Sequence, residues 1–528
     1  MTTDPLSPEF AQEVAAGYAF EGGTLRLGAL VQGEDATESA QVQVPLAMLN
    51  RHGLIAGATG TGKTRTLQLF AEGLSEQGVP VFVADIKGDL TGMAIDGEPK
   101  DFIATRAEDI GQDWSPASFP LEFYSLGGIG TGVPIRTTVT DFGPLLLSKV
   151  LGLNDTQESS LSLIFHWADA NKLALLDLKD LRAVIAYLTS KGGKDELAGI
   201  GGVSPATAGV ILREISSLEA QGAEEFFGEP AFDTKDLLAV GADGRGVISA
   251  LELPALQDRP ALFSTFLMWL LADLFADLPE VGDVDKPKLV FFFDEAHLLF
   301  TDATKEFLTQ VTQTVRLIRS KGVGVFFVTQ SPKDIPADVL GQLGSRVQHA
   351  LRAFTPEDAA ALKAAVRTYP TSPYDLEKVL TSLATGEAVV TVLSEKGAPT
   401  PVAWTRLRAP RGSMDAAPAE SVTAVINASA GSTKYAVETD RESAYELLAA
   451  RVEATAAAAE QAKAAEEKAK ADAAAKKAES APRRTSTRKD KSVVEEVLTS
   501  STAKSLARSA GRELINQISR SIFGTRGR

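Results

Sequence analysis

The sequence predicts an α/β protein: a mostly parallel β-sheet flanked by helices, interrupted by a helical insertion and followed by a low-complexity helical tail. Three observations carry this reading. Short apolar runs alternate with helical periodicity from Leu54 to about Val139, and again from Gly246 onward. A stretch between them repeats its apolar residues at helical spacing, with few strand signals. Between Val452 and Val493 there is no Leu, Ile, Val, Met or aromatic residue, so that stretch cannot build a core.

Taken in order, residues 1–45 read as a short N-terminal β segment, with Thr24 to Gly28 and Val42 to Pro45 as its apolar pieces. Residues 46–144 form the first part of the core: a strand Leu54-Ile-Ala56, a helix from Lys63 to Gln77, and a buried strand from Val79 to Ala84 ending in Asp85. Residues 145–235 are the helical insertion. The core resumes over 236–410 with a strand from Gly246 to Leu251 and an apolar helix from Ala261 to Leu278. Strands follow from Leu289 to Phe293, Val323 to Thr329 and Val347 to Leu351, then a terminal hairpin at Gly386 to Leu393 and Pro401 to Leu407. Residues 411–492 are an Ala/Lys/Glu-rich linker or helix, partly disordered, and 493–528 a basic amphipathic helix.

Composition limits the functional classes. The 528 residues contain no cysteine, which excludes disulfide and thiol chemistry and suits a reducing, cytoplasmic setting. The acidic start lacks a signal-peptide layout, and the longest apolar runs fall short of the roughly 18 residues a membrane span needs, so no integral membrane segment is expected. The net charge is −16; the stretch from Ala481 carries eleven basic against four acidic residues, +7, which leaves −23 on everything before it.

The strongest chemical signal is Gly57-Ala-Thr-Gly-Thr-Gly-Lys-Thr64, a G-x-x-x-x-G-K-[ST] pattern between a strand and a helix. Glycines let main-chain N–H groups curl around an anion, and the helix N-terminus adds its partial positive charge. Lys63 neutralises β and γ oxygens, and the Thr64 hydroxyl can ligate Mg²⁺. Gly57, Ala58, Thr59, Gly60, Thr61, Gly62, Lys63, Thr64 and Arg65 are the candidate ATP contacts. The apolar strand ending in Asp294-Glu295 delivers two carboxylates where parallel sheets bind ligands. Asp294 is read as a metal residue with Thr64, and Glu295 as the base for the attacking water. Gln330, at the end of the strand expected beside that of Asp294, can contact the γ-phosphate or its water. His297 is read as a capping or packing residue at least as readily as a catalytic one, and Asp85 and Lys87 as a strand-end turn facing the nucleotide or an internal ion pair.

These motifs together, G-A-T-G-T-G-K-T, Asp85-Ile-Lys-Gly-Asp89, F-F-D-E-A-H and T-Q-S-P, resemble the HerA-like members of the FtsK/HerA ring ATPases, above all their YjgR-type branch, over about residues 20–410. The resemblance implies a RecA-like core, Mg²⁺-dependent ATP hydrolysis, a hexameric ring that moves or processes DNA, and an arginine reaching the γ-phosphate of the neighbouring subunit. Arg316, Arg319 and Arg346 are the candidates for that arginine. Because the body is acidic and shows no basic stripe, a second reading stands beside the first: an ATP-gated assembly or remodelling protein that acts on a protein partner, through the C-terminal tail or the insertion, without DNA.

Overall fold

In a computed structural model of the chain, residues 4–197, 199, 201–301 and 305–479 are described. The basic segment expected over 493–528 therefore lies outside the described residues. The chain divides into two compact units, one of residues 1–154 and 214–440, the other of residues 155–213 and 441–528.

The first unit is organised by a twelve-stranded sheet: β1 Thr24–Gln32, β2 Asp35–Pro45, β3 Gly53–Ala56, β4 Val81–Asp85, β5 Leu121–Leu126, β6 Val133–Ile135, β7 Ile248–Glu252, β8 Leu289–Phe293, β9 Val323–Thr329, β10 Ser345–Gln348, β11 Glu387–Thr391 and β12 Ala403–Leu407. Its order is β2-β1-β12-β11-β10-β3-β9-β8-β4-β7-β5-β6. From β10 to β6 every pairing is parallel. On the other side β11, β12, β1 and β2 add as antiparallel ribbons. The central strands β3, β4, β7, β8 and β9 are buried along their whole length. That is why they read as continuous apolar runs in the sequence, and why helices must cover both faces. β3, β4, β7, β8, β9, β11 and β12 stand where their apolar runs predict them, within about two residues at each end; β1 runs on to Gln32, β2 starts back at Asp35, β10 begins and ends earlier, at Ser345 and Gln348, and β5 and β6 lie outside the runs named above.

The helix Lys63–Glu76 follows β3 directly and packs into the sheet through Phe70, whose ring meets Phe292 of β8 and Phe326 of β9 at 6.0 and 5.4 Å between centroids. This contact fixes the start of the helix relative to the strands that carry the acidic motif. At the N-terminus a helix Pro8–Gly17, capped by Ser7, precedes β1 and buries Phe10, Ala11 and Val14.

The second unit is helical. The helix Leu178–Thr189 opens with a capping box between Asp177 and Asp180. The buried Asp180 also accepts Ser443 Oγ at 2.6 Å and Tyr445 N at 2.8 Å at the start of the helix Ala444–Glu479. That helix carries the Ala, Glu and Lys residues of the tail; from Glu453 its described side chains are exposed, as alanine and charge without larger apolar groups dictate.

Candidate functional site

Residues Gly57 to Gly62 form the loop between β3 and the helix Lys63–Glu76. Hydrogen bonds at both ends fix its path: Gly57 N donates to Thr329 O at 3.2 Å, Ala58 N to Ala350 O at 2.8 Å, and Gly386 N to Thr61 O at 3.1 Å. Gly62 has φ +110°, and a Cβ there would stand 3.2 Å from Gly386 N, so both backbone conformation and space demand glycine. Lys63 is buried, with Nζ donating to Ala58 O at 3.2 Å. Burial lowers its pKa, against the attraction of Glu295. Beneath the loop, the fully buried His349 bonds Thr66 Oγ1 through Nε2 at 2.8 Å; burial pushes its pKa down to about 4, so the ring is neutral at pH 7.

Two strands away from β3, β8 ends in Asp294 and Glu295, and the two neighbours have opposite environments. Asp294 is 2% exposed, its Oδ2 has no hydrogen-bond partner among the described residues, and burial, then the charge of Glu295, push its carboxyl up to about 7. Glu295 takes φ +45°, unusual for a side-chain-bearing residue. This turn sends its carboxylate to a different set of partners. Lys87 Nζ donates to its Oε1, Gln330 Nε2 donates to Oε2 at 3.5 Å, and His297 Nδ1 stands 3.3 Å from Oε2 without forming a hydrogen bond. Burial opposes its ionisation, yet the Lys87 hydrogen bond and charge outweigh burial and hold it below the usual carboxylate range. Lys87 is thus an ion-pair partner of Glu295 rather than of Asp85, which instead closes the strand-end turn by accepting the N–H groups of Lys87, Gly88 and Leu90.

Gln330 follows β9, which lies between β3 and β8, and Asp334 fixes the turn behind it by accepting Thr329 Oγ1 at 2.8 Å and Ser331 N at 2.9 Å. A cleft of about 580 Å³ opens here, lined among others by Ala58, Thr59, His297, Gln330, Arg352 and Phe354. Arg352 donates to Thr59 O at 3.2 Å. No sequence signal distinguished it, because the loop after β10 comes to the phosphate loop only through the parallel pairing of β10 with β3.

Gly57 to Thr64, Asp294, Glu295 and Gln330 are therefore gathered at the carboxyl ends of β3, β8 and β9, where a doubly covered parallel sheet binds its ligands. A buried carboxylate oxygen without a donor at Asp294, next to a phosphate loop carrying Thr64, has the hard-oxygen character that Mg²⁺ requires. Arg65 donates to Gln68 at 2.9 Å in the first turn of its helix. The three arginine candidates do not line the cleft. Arg316 and Arg319 are exposed at the end of the helix Lys305–Ile318 and just beyond it, over a buried stripe of Phe307, Val311, Val315 and Ile318. Arg346 bonds Thr368 O at 3.3 Å and lies over the Tyr369 ring.

Comparison with known proteins agrees with this architecture. The helicase HerA-like C-terminal family matches residues 31–528. The DNA double-strand break repair helicase HerA of Sulfurisphaera tokodaii is 25% identical over 377 residues, 70% of this chain and 67% of that protein. The protein of the same name from Sulfolobus acidocaldarius is 23% identical over 391 residues, 72% of this chain and 69% of its own. Among solved structures, the plasmid coupling protein TrwB in complex with a non-hydrolysable ATP analogue has a similar fold, with a TM-score of 0.50 at 15% identity over 76% of this chain and 98% of that one. No helix among the described residues is long and apolar enough to cross a membrane. The chain belongs to the helicase HerA-like C-terminal family and is a P-loop ATPase of the FtsK/HerA type.

Proposed function

We propose that this ATPase hydrolyses Mg-ATP to drive translocation along, or processing of, double-stranded DNA as a cytoplasmic hexameric ring. The observation that carries the hydrolytic part is the split pair at the end of β8: a buried Asp294 with a free oxygen beside a Glu295 kept ionised by Lys87. The DNA part draws on the relatives, which are named as DNA double-strand break repair helicases.

In this reading the main-chain N–H groups of Gly57 to Gly62 cradle the phosphates, with Lys63 placed for the β and γ oxygens. Thr64 and Asp294 hold Mg²⁺, which when bound neutralises charge on those oxygens. Glu295 accepts the proton of the attacking water, and its ionised state at pH 7 is what a general base needs. Gln330, already hydrogen-bonded to Glu295, orients that water and registers the γ-phosphate. Arg316, Arg319 and Arg346, none of which lines the cleft of its own chain, remain the candidates for the residue supplied by a neighbouring subunit.

The acidic balance of the chain favours one other reading, an ATP-gated remodelling protein whose partner is a protein engaged through the helical unit or the tail. Steady-state hydrolysis with and without double-stranded DNA separates the two, with Lys63→Ala as the blank. Stimulation by DNA supports translocation. Lys63-dependent hydrolysis that ignores DNA at low salt leaves the remodelling reading, and absence of hydrolysis refutes both.

A further inference from the structure

The carboxyl edge of the sheet continues past Asp294 as a row of acids. Register aligns Ala84 with Phe293 and Asp85 with Glu252, so Asp294, Asp85 and Glu252 end three adjacent parallel strands, β8, β4 and β7. Asp89 joins them from the turn after β4, and carboxylate oxygens of Asp85, Asp89 and Asp294 all lie within 4.8 Å of one another. The side chains are withdrawn from water: relative exposure is 0% for Asp85, 2% for Asp294 and 6% for Glu252.

Like charges this close and this buried need compensation, and main-chain N–H groups provide it most fully at Asp85. Asp85 accepts the N–H groups of Lys87, Gly88 and Leu90 at 3.1, 2.7 and 2.9 Å. In contrast, Asp294 Oδ2, Asp89 Oδ1 and Glu252 Oε1 are buried with no hydrogen-bond partner among the described residues. Lys87 makes its ion pair with Glu295 and Arg65 its hydrogen bond with Gln68, so they meet these acids through charge rather than through a hydrogen bond, Arg65 facing Asp89 and Asp85 and Lys87 facing Asp294. An unmet buried carboxylate oxygen is costly, and here three of them accompany one cluster.

We propose that Asp85, Asp89, Glu252 and Asp294 form a binding site for a hard divalent cation of the Mg²⁺ or Mn²⁺ class, filled without nucleotide and without Thr64, and sharing only Asp294 with the Mg²⁺ site proposed for bound ATP. All-oxygen, carboxylate-rich ligation selects that class over softer metals. The site's outer member, Glu252 on β7, stands four strands from β3, roughly 19 Å at about 4.8 Å per strand, whereas Asp294 on β8 stands two strands away. A cation there ties together the ends of β8, β4 and β7 and sets the position of Asp294 at the border between the two sites. The inference does not depend on ATP turnover.

The test is Mn²⁺ titration of the full chain, stripped with EDTA and free of nucleotide, with free Mn²⁺ read by electron paramagnetic resonance. One Mn²⁺ per chain is expected, weakened at least tenfold by Glu252→Gln and by Asp89→Asn and unchanged in Thr64→Ala. Binding of a fluorescent ADP analogue stays within threefold in the first two variants. Asp89 is only half-buried in its turn, so Asp89→Asn carries the test if Glu252→Gln does not fold. Absence of nucleotide-free binding overturns the proposal, as does binding that survives both acidic variants or is lost with Thr64→Ala.

Discussion

Replacing Glu295 with Gln isolates the charge of the proposed base from its shape. The side chain is 5% exposed and enclosed by Lys87, Gln330 and His297, so an amide of equal size keeps the packing and can turn its oxygen toward Lys87. What folding loses is the charge part of an ion pair whose lysine side chain is 43% exposed. Solvent screens that loss to about 1 kcal/mol or less, and the melting temperature moves by only a few degrees. The chemical step loses its proton acceptor, which for a positioned base is worth roughly 10²–10⁴ in rate, or about 2.7–5.4 kcal/mol of barrier. Single-turnover hydrolysis, with excess protein over radiolabelled ATP, reads the chemical step apart from product release. Affinity measured with a fluorescent nucleotide should change by less than about threefold over the same samples. A single-turnover rate within tenfold of wild type, in a variant that binds nucleotide normally, would refute Glu295 as the base. It would turn attention to the hydrogen-bonded Gln330.

Two further outcomes follow from the same geometry. Gly60 and Gly62 both have positive φ, +80° and +110°, but a Cβ meets nothing within 4 Å at Gly60 and the Gly386 backbone at 3.2 Å at Gly62. Gly60→Ala should therefore cost only backbone strain, about 1 kcal/mol, and Gly62→Ala about 2–3 kcal/mol together with weaker ADP binding; equal melting temperatures with ADP present would contradict the contact argument. Glu72, in the helix after the phosphate loop, is pushed up to about 7 by burial, although Arg411 N, Gly412 N and Gln68 Nε2 donate to it at 2.7, 3.1 and 2.8 Å. Its folded value exceeds the ordinary 4.5, so the stability tied to its protonated form is whole below about 4.5 and is lost as pH rises through about 7. At ~1.4 kcal/mol per pH unit this gap is worth about 3 kcal/mol. Urea midpoints measured across that window should fall more steeply for wild type than for Glu72→Gln, and parallel slopes would rule the linkage out.

What could be read from the sequence follows from how local its physical cause is. The phosphate loop, β8 with its acidic end and β9 with Gln330 are each specified within about ten contiguous residues: a fully buried strand must be continuously apolar, and the polar residues that end it stand out. The helix Pro8–Gly17 also had a local signature, Ser7 as cap and Pro8 at its first position, hidden inside a segment read only for β structure. Glu252 and Arg352 had none. Glu252 acquires its neighbours only because β7 pairs in register with β4, and Arg352 only because β10 lies against β3. No pattern along the chain encodes such pairings, since residues 85 and 252 are brought together by strand order after a long helical excursion.

The division of labour between Asp294 and Glu295 shows how one strand end can supply two kinds of carboxylate. A regular strand sends successive side chains to opposite faces, yet both groups here belong to one site. The departure at Glu295, φ +45°, re-aims its carboxylate toward Lys87, Gln330 and His297, leaving Asp294 in the buried row with Asp85. The consequences are opposite in sign: Asp294, without a donor on Oδ2, is driven toward its neutral form unless a cation compensates it, while Glu295 is held ionised by Lys87. Non-glycine residues meet a cost of about 1–3 kcal/mol for such a backbone, offset here by the contacts Glu295 gains with Lys87 and Gln330. In the proposed mechanism that cost has a purpose, since one carboxylate must meet a metal and the other a proton.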